Sequence, residues 1–276
     1  MLFAFYTFIA LIIFIAIART SGSAQDKQGN QFKNIYPKNS DNLKKDESSR
    51  ISFIVGTFNV QGGKSLSGER DITRAGEVIK EADIIGLQEI YAPGYINKLG
   101  IGNSQTAKLA MIGGFTWLFC ATRTRWFREF RGNALLSKLR VNSWRIEMLP
   151  NKVGKNFRNM TIAEMSWQGQ PFHFINTHLH TKDGKVEQFD AVIKEFIQHP
   201  RAILVGDFNS KPNEPHIMAA LKKYAIDDAI DLAGMCEEGD IRIDWILCTG
   251  FHVHSGEMVE KGVSDHPFYQ VRLSII

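Results

Sequence analysis

Six β-prone segments of this sequence run into polar side chains that suit chemistry. In AILVGDFNSKP, residues 202–212, four apolar residues lead through Gly206 into Asp207 and Asn209. A short apolar run bounded by turn residues is typical of a fully buried strand. An unpaired carboxylate is costly to bury, although aspartate is also a common turn residue. The sequence therefore favours a fold in which the polar residues at such strand ends lie together in a functional site.

The same pattern recurs in five other segments, which carry Asn, Glu, His or Asp in or just after a β-prone run. They are ISFIVGTFN (51–59), DIIGLQE (83–89), FHFINTHLH (172–180), IRIDWIL (241–247) and GVSDHPFY (262–269). Any one of these polar residues is explained well enough as a cap or a turn residue. All of them together indicate a shared polar rim, because catalytic residues commonly lie on loops held by a rigid scaffold.

The N-terminus differs from the rest of the chain. The N-terminal segment spans residues 1–18. Its residues 2–18 form an uninterrupted apolar stretch without charge. Its length lies between that of a signal-peptide core and that of a minimal membrane span. We predict either a secretion signal, cleaved after Ala18 or Ala24, or a single membrane anchor. The protein is accordingly expected to be secreted or membrane-anchored, and the choice between the two stays open.

Residues 19–50 are polar and poor in aliphatic side chains, so we predict a disordered linker. The folded domain is predicted to span residues 51–276, which is enough chain to bury a sizeable core. A net charge of +4 is compatible with a polyanionic partner but is weak support for one. The cysteines Cys120, Cys236 and Cys248 lack metal-ligand spacing and are interpreted as buried free thiols.

Helices and strands alternate in the predicted domain without a regular repeat. Helices are predicted at 68–82, 103–114, 185–199 and 214–224, and strands at 51–59, 84–87, 132–138, 159–167, 172–177, 202–205, 241–247 and 268–275. In some parts of the chain strands follow one another directly, and in others strands alternate with helices. This mixture favours mixed sheets covered by helices over a Rossmann fold or a regular barrel.

The predicted polar rim combines carboxylates, amides and imidazoles. Its members are Asn59, Glu89, His178, Asp207, Asn209, Asp244, Asp265 and His266. Converging carboxylates repel one another unless a cation joins them, and oxygen ligands without cysteine favour Mg²⁺ over zinc, with Mn²⁺ or Ca²⁺ as substitutes. The two histidines add proton transfer and positive charge for an anionic transition state. This combination favours hydrolysis of a phosphate ester over acyl transfer.

The motifs TFNVQG, LQEI, NTHLH, GDFNSKP, RIDWIL and SDHPFY resemble, in this order, those of the endonuclease/exonuclease/phosphatase superfamily. The resemblance covers roughly residues 51–274. It implies an α/β fold like that of deoxyribonuclease I, a four-layer sandwich in which two packed mixed β-sheets are flanked by helices. It also implies a Mg²⁺-dependent phosphoric ester hydrolase with its site at one edge of the sheets.

The resemblance implies a role for each residue of the rim. Glu89 resembles the metal-binding glutamate of the superfamily, and Asn59 and Asp265 are implied to lie beside the metal. Asp207 and Asn209 resemble the pair that orients the attacking water and the phosphate.

Both histidines of the rim also have counterparts in the superfamily. His266 resembles the catalytic histidine, with Asp244 as its carboxylate partner. His178 resembles the second histidine, which contacts the phosphate or the leaving oxygen. His180 faces the same side of an extended strand as His178, and it is either a further member of the site or only a neighbour.

The stretch TRTRWFREFRG, residues 122–132, interleaves arginines with aromatic residues. Such a stretch suits a phosphate backbone with stacked bases, and it equally suits a lipid interface. A solvated loop with its aromatics in the core is the third alternative. Arg131 and, through the resemblance of RGNALLSK, Asn133 are expected to bind the substrate.

Three functions stay open at this point. The favoured one is a metal-dependent phosphodiesterase that acts as a DNA nuclease, so that nucleic acid is the expected partner. The first alternative is the same chemistry on a membrane phospholipid, sphingolipid or phosphoinositide, reached through residues 2–18. The second is a surface-tethered binding protein without turnover. No obligate protein partner is implied.

Overall fold

The computed structural model describes residues 2–19, 21–23, 25–29, 51–93, 104–125, 129–151, 157–237 and 239–276. The helices are α1 (Leu2–Arg19), α2 (Ile72–Ile79), α3 (Gln105–Gly113), α4 (Lys185–Phe196), α5 (Pro215–Tyr224) and α6 (Ala229–Leu232), and a 3₁₀ turn spans Gln61–Gly63. The strands are β1 (Ser21–Ser23), β2 (Lys27–Gly29), β3 (Phe53–Asn59), β4 (Ile84–Ala92), β5 (Thr116–Arg125), β6 (Phe130–Ser137), β7 (Arg140–Met148), β8 (Asn159–Trp167), β9 (Gln170–His178), β10 (Ala202–Asp207), β11 (Asp227–Asp228), β12 (Asp244–Thr249), β13 (Phe251–Val259) and β14 (Phe268–Ile275).

Two seven-stranded sheets form the centre of the described structure. The first has the order β1-β5-β6-β4-β3-β14-β13, and the second has the order β11-β12-β10-β9-β8-β7-β2. Each sheet is mixed, because β3 pairs with β4 and β9 pairs with β10 in parallel while the other neighbours are antiparallel.

Three apolar clusters build the layers. One lies between the sheets and joins Phe53 and Val205. A second packs α2 and α3 on the first sheet, and a third packs α4 and α5 on the second. The order is therefore helices, sheet, sheet, helices, and the predicted four-layer α/β sandwich is confirmed.

Strand β10 shows why its apolar run is unbroken. Ile203 and Val205 belong to the cluster between the sheets, whereas Leu204 belongs to the cluster under α4 and α5. Since both faces of the strand are covered, every position must be apolar. The run can admit a polar residue only at the strand end.

Six strands of the described structure have no counterpart among the predicted ones: the short β1, β2 and β11, and the longer β5, β7 and β13. Most side chains of β7 are only partly buried and most of β13 are exposed, so neither carries a long apolar run. The strand predicted at 241–247 begins only at Asp244. Its first residues are held otherwise, with Arg242 paired to Asp228 and Asp240.

The N-terminal segment joins both sheets. Within the predicted linker, β1 pairs with β5 and β2 pairs with β7, so each lies at a sheet edge. Residues 30–50 and the cleavage position Ala24 lie outside the described residues. The described side chains of α1, such as Phe5 and Phe8, are exposed. In the part of the chain that is described, no helix combines the length and the apolar character needed to cross a membrane.

The three cysteines are free thiols. Cys120 and Cys248 are buried as predicted, and Cys236 is half-buried. Burial raises the pKa of both Cys120 and Cys248 to about 12, so these thiols stay protonated.

Gly206 allows β10 to lie close to β9 just before the strand end. Its φ is +149°, and a Cβ at this position would lie 2.1 Å from the carbonyl oxygen of Thr177. We expect Gly206→Ala to lower the free energy of unfolding by about 3 kcal/mol, because two paired backbones must separate. Urea denaturation measures the loss. Gly262 is a matched control, since its φ is +159° and a Cβ there would contact nothing within 4 Å. Equal losses in Gly206→Ala and Gly262→Ala would contradict the steric explanation.

Candidate active site

The ends of β9, β10 and β12 bring three polar side chains together at one edge of the second sheet. The strand register pairs Asp207 with His178 on one side and with Asp244 on the other. Because paired strands lie roughly 4.8 Å apart, the three side chains converge without help from a long loop. The apolar run of β10 ends in a carboxylate because the strand delivers that carboxylate to this edge.

The first sheet adds its own strand ends to the same place. Asn59 ends β3, and its register partner on β4 directly precedes Glu89. The side-chain amide of Asn59 donates to Oδ2 of Asp207 at 3.0 Å, which links the two sheets. The hydroxyl of Ser264 donates to the carbonyl oxygen of Asn59 at 2.7 Å and holds the turn that carries His266.

His266 is hydrogen-bonded to a buried carboxylate. Its Nδ1 lies 2.8 Å from Oδ2 of Asp244, and its Nε2 lies 3.8 Å from Oδ2 of Asp207. Burial by itself would lower the pKa of His266. The hydrogen bond to Asp244 and the charges of Asp244, Asp207 and Asp265 outweigh burial and raise this pKa to about 9. His266 is therefore an imidazolium at neutral pH.

The protonation state of His178 is opposite to that of His266. Its Nε2 lies 3.4 Å from Oδ2 of Asp207, and its Nδ1 lies 3.2 Å from Nη1 of Arg158. Burial, followed by the positive charge of Arg158, holds the pKa of His178 well below its ordinary value. The ring is thus neutral at pH 7. Since Arg158 can only donate, Nδ1 accepts and the ring proton lies on Nε2, facing Asp207.

Asp207 is the carboxylate that both histidines approach. Burial, followed by the charge of Asp244, raises the pKa of Asp207 to about 6. Burial also raises the pKa of Asp244 in spite of its bond to His266, and the charge of Asp265 adds to this effect. Asp207 and Asp244, two buried carboxyl groups whose pKa values are raised, fit the neighbourhood of a divalent cation with oxygen ligands.

One group of ligand atoms meets at this edge. Single atoms of Asp207, Asp244 and His266 all lie within 4.8 Å of one another, and this is the one such group among the described residues. It differs from the metal set implied by the resemblance, which is Asn59, Glu89 and Asp265. Those three fit an ion by their chemistry, and their assignment as ligands stays a prediction.

Gln61 is a site residue that the sequence analysis missed. Its side-chain amide donates to Oδ2 of Asp265 at 2.7 Å, and its backbone N–H donates to Oδ1 of Asn59 at 3.1 Å. One residue thus joins two of the expected metal ligands. The only signal in the sequence was its place two residues after Asn59, at the start of a glycine pair.

The hydrogen bonds of Asn209 and His180 bear on the roles expected of these two residues. The backbone N–H of Asn209 donates to Oδ1 of Asp207 at 2.9 Å, while its side-chain amide donates to the carbonyl oxygen of Leu179 at 3.0 Å. Asn209 therefore fixes the Asp207 carboxylate. The ring of His180 is buried, and neither of its nitrogens has a hydrogen-bond partner within the described ranges.

Several site residues have strained backbone. Gln61, Glu89 and Asn209 are three of the five non-glycine residues with positive φ in the described structure. Their φ angles are 46°, 57° and 50°. Such angles are uncommon outside glycine, although asparagine tolerates them better than most residues.

A cleft of about 260 Å³ opens beside His178. Both predicted substrate residues, Arg131 and Asn133, line it together with Glu89 and Arg158. The side-chain amide of Asn133 donates to Oδ1 of Asn159 at 3.0 Å, which fixes its orientation. Residues 126–128 of the basic and aromatic stretch lie outside the described residues. A larger cavity of about 580 Å³ lies against β7 and β8 and is lined by none of the rim residues, so we assign the site by its chemistry.

Arg158 is a second residue that the sequence analysis missed. Burial lowers its pKa, and the charges of Asp207 and Glu89 oppose this effect. The signal was weak: an arginine stands directly before β8, whose Met160 pairs with Thr177 beside His178. Only the strand order shows that this cation reaches the histidine.

Comparison with known proteins adds a family to this geometry. The profile of the endonuclease/exonuclease/phosphatase family matches residues 56–266. The chain belongs to this family. Members of the endonuclease/exonuclease/phosphatase family hydrolyse phosphoesters and generally depend on a divalent metal ion, so the protein is a phosphoesterase. The comparison with curated protein sequences gave no match.

Solved structures of similar fold carry various names. The endonuclease/exonuclease/phosphatase from Beutenbergia cavernae DSM 12333 is 20% identical with a TM-score of 0.65, over 82% of this chain and 72% of that one. A mannosyl-6-phosphatase of Bacteroides thetaiotaomicron VPI-5482 is 17% identical with a TM-score of 0.62, over 81% and 100%. The catalytic domain of human nocturnin, with a bound sulfate anion, is 15% identical with a TM-score of 0.62, over 82% and 96%. At these identities they show the fold alone.

Removing the divalent ion is expected to lower the stability of this family member. Mg²⁺ at about 100 times its Kd should raise the Tm by at least about 5 °C, because it offsets repulsion among the carboxylates. Thermal melts in Mg²⁺, Mn²⁺, Ca²⁺ or chelator measure the shift. Glu89→Gln should reduce it, whereas Glu77→Gln, an exposed change on α2, should not. A Tm that none of the ions changes would contradict a metal at this site.

Proposed function

We propose that this phosphoesterase is a Mg²⁺-dependent phosphodiesterase that cleaves DNA, with Mn²⁺ or Ca²⁺ as substitute ions. The proposal is carried by the position of Asp207 between a neutral His178 and a protonated His266. A phosphate ester needs a base for the attacking water and positive charge for its transition state, and this arrangement supplies both. The arginine-lined cleft beside it suits a polyanion.

We assign the groups around the phosphate the following roles in the proposed reaction. Asp207 takes a proton from the attacking water, and its pKa of about 6 suits a base that works near neutral pH. His266 sets an imidazolium against the charge that develops on the phosphate. Arg158 and the Nε2–H of His178 bind phosphate oxygens. Glu89 and Asp265, with Asn59 beside them, would hold a Mg²⁺ ion, which would supply Lewis-acid chemistry at the phosphate.

Supercoiled plasmid DNA provides the test. The purified full chain should convert it to nicked circles in Mg²⁺ and leave it intact in chelator. Parallel reactions contain vesicles of sphingomyelin or of phosphoinositide. Absence of nicking together with turnover of either lipid overturns the DNA assignment. Absence of turnover on every substrate favours the binding protein without catalysis.

A membrane lipid is the second candidate substrate for the same chemistry. It is favoured by α1, because the described side chains Phe5, Phe8 and Phe14 are all more than half exposed. An enzyme that is held at a bilayer by residues 2–18 meets phospholipid head groups readily. A secreted enzyme, with this segment removed, would meet extracellular nucleic acid instead. Release of label from vesicles faster than nicking of DNA would decide for the lipid.

A further inference from the structure

The cleft beside His178 carries an excess of positive charge. Among the described residues, three arginines line it, Arg123, Arg131 and Arg158, and Glu89 is the single acidic residue. The proposed metal ion would neutralise that carboxylate in turn. One scissile phosphate beside Arg158 and His178 accounts for only part of this charge.

The strand register places two of these arginines side by side. Arg131 on β6 is the partner of Arg123 on β5 and, on its other side, of Tyr91 on β4. Like charges on directly opposed residues destabilise a sheet. An anion that both guanidiniums share would turn this cost into a gain.

Neither Arg131 nor Arg158 has a carboxylate partner within the described part of the chain. The Nε of Arg158 is in addition buried without any hydrogen-bond partner there. Arg131 is exposed, whereas burial lowers the pKa of Arg158 against the charges of Asp207 and Glu89. A guanidinium matches phosphate oxygens in pairs, so both side chains keep N–H donors that suit a bound anion.

Tyr91 holds Arg131 in position. The guanidinium lies over the tyrosine ring, 4.7 Å from its centroid, and the guanidinium of Arg70 lies 6.0 Å from the same centroid. The ring packs on Gly62, where a Cβ would come within 2.7 Å of it. Such cation–π contacts orient a guanidinium before any ligand binds.

We propose that this part of the cleft binds a second phosphate of the substrate, the terminal phosphate monoester of a nucleic acid strand. A monoester carries nearly two negative charges at neutral pH and so matches the paired Arg123 and Arg131, whereas a diester carries one. The volume of about 260 Å³ is slightly below the roughly 300–1,000 Å³ of pockets for drug-sized ligands, which suits a phosphate with part of its sugar. The inference rests on the proposed function, because the phosphate that is cleaved is taken to lie at Asp207.

The test compares two dinucleotides, dithymidylate with a 5′-phosphate and dithymidylate with a 5′-hydroxyl. Wild-type enzyme in Mg²⁺ should cleave the phosphorylated one with a kcat/KM about tenfold higher or more, as expected for one charge-assisted contact. Arg131→Gln should bring this ratio close to one. Arg140→Gln removes an arginine from the exposed start of β7, outside the cleft, and should leave the ratio unchanged.

Calorimetric binding in chelator gives a second readout that needs no turnover. The phosphorylated dinucleotide should bind the wild type about tenfold more tightly than the other, and Arg131→Gln should lose this difference. Equal binding and equal cleavage of both dinucleotides overturn the inference and leave the nuclease proposal intact. Preferential, Arg131-dependent binding without any cleavage supports the phosphate site and overturns the nuclease proposal. Tighter binding of an inositol bisphosphate than of either dinucleotide overturns the nucleic acid terminus as the ligand.

Discussion

Asp207→Asn is expected to lower kcat by about 10³-fold or more, because it removes the proposed base while keeping the size of the side chain. Asp207 is also the point at which both histidines and Asn59 meet. Steady-state kinetics on plasmid DNA at saturating Mg²⁺ measure the loss. Asp190→Asn, an exposed change on α4, is the control and should keep full activity.

The same variant is expected to change how stability depends on pH. The pKa of Asp207 is raised in the fold from 3.8 to about 6, so its charged form costs stability as pH rises through this range. The cost is absent at pH below about 3.8 and fully present above about 6. The metal-free wild type should therefore lose free energy of unfolding, relative to Asp207→Asn, between pH 4 and pH 7, by about 3 kcal/mol. A constant difference across that range would contradict the raised pKa.

Asp244→Asn is expected to lower kcat by about 10²-fold or more, because the variant loses the charge that keeps His266 protonated. The pKa of His266 should fall from about 9 towards its ordinary 6.5. Activity that depends on the imidazolium is present below this pKa and lost above it. The alkaline limb of the kcat profile should therefore move from about pH 9 towards neutrality.

Comparing Asp244→Asn with Glu89→Gln separates the support of the His266 charge from metal binding. Asp244 belongs to the group of three that can hold a cation, whereas we assign the metal to Glu89 and Asp265. Asp244→Asn should thus keep its Mg²⁺ affinity, and Glu89→Gln should lose affinity first. If Asp244→Asn lost Mg²⁺ binding but kept full turnover at saturating Mg²⁺, this division of roles would be wrong.

Features that depend on the pattern within a single strand could be predicted from the sequence alone. The unbroken run before Asp207 has both faces buried, and the polar ends at Asn59, His178 and Asp244 follow from strands that stop at one edge. These features depend on local pattern and on parallel or antiparallel pairing of neighbours. For this reason the pattern predicted mixed sheets covered by helices and a common edge for the polar strand ends, whereas the four layers were implied by the family resemblance.

Features that depend on which strands are neighbours could not be predicted. Arg158 reaches His178 only because β8 lies beside β9, and Tyr91 meets Arg131 only because β4 lies beside β6. The strands at 21–23 and 27–29 carry no apolar run of their own and depend on pairing with β5 and β7. No local pattern in the sequence marks such partners.

The left-handed backbone at Gln61, Glu89 and Asn209 has a consequence for evolution and for protein engineering. Strain of this kind costs of order 1–3 kcal/mol at a residue, less for asparagine, and glycine relieves it. Selection for heat resistance alone would therefore enrich glycine at the very positions that shape the proposed active site. Variants that survive such selection would be sturdier proteins and poorer catalysts, so a thermostability screen on this chain has to be paired with an activity screen.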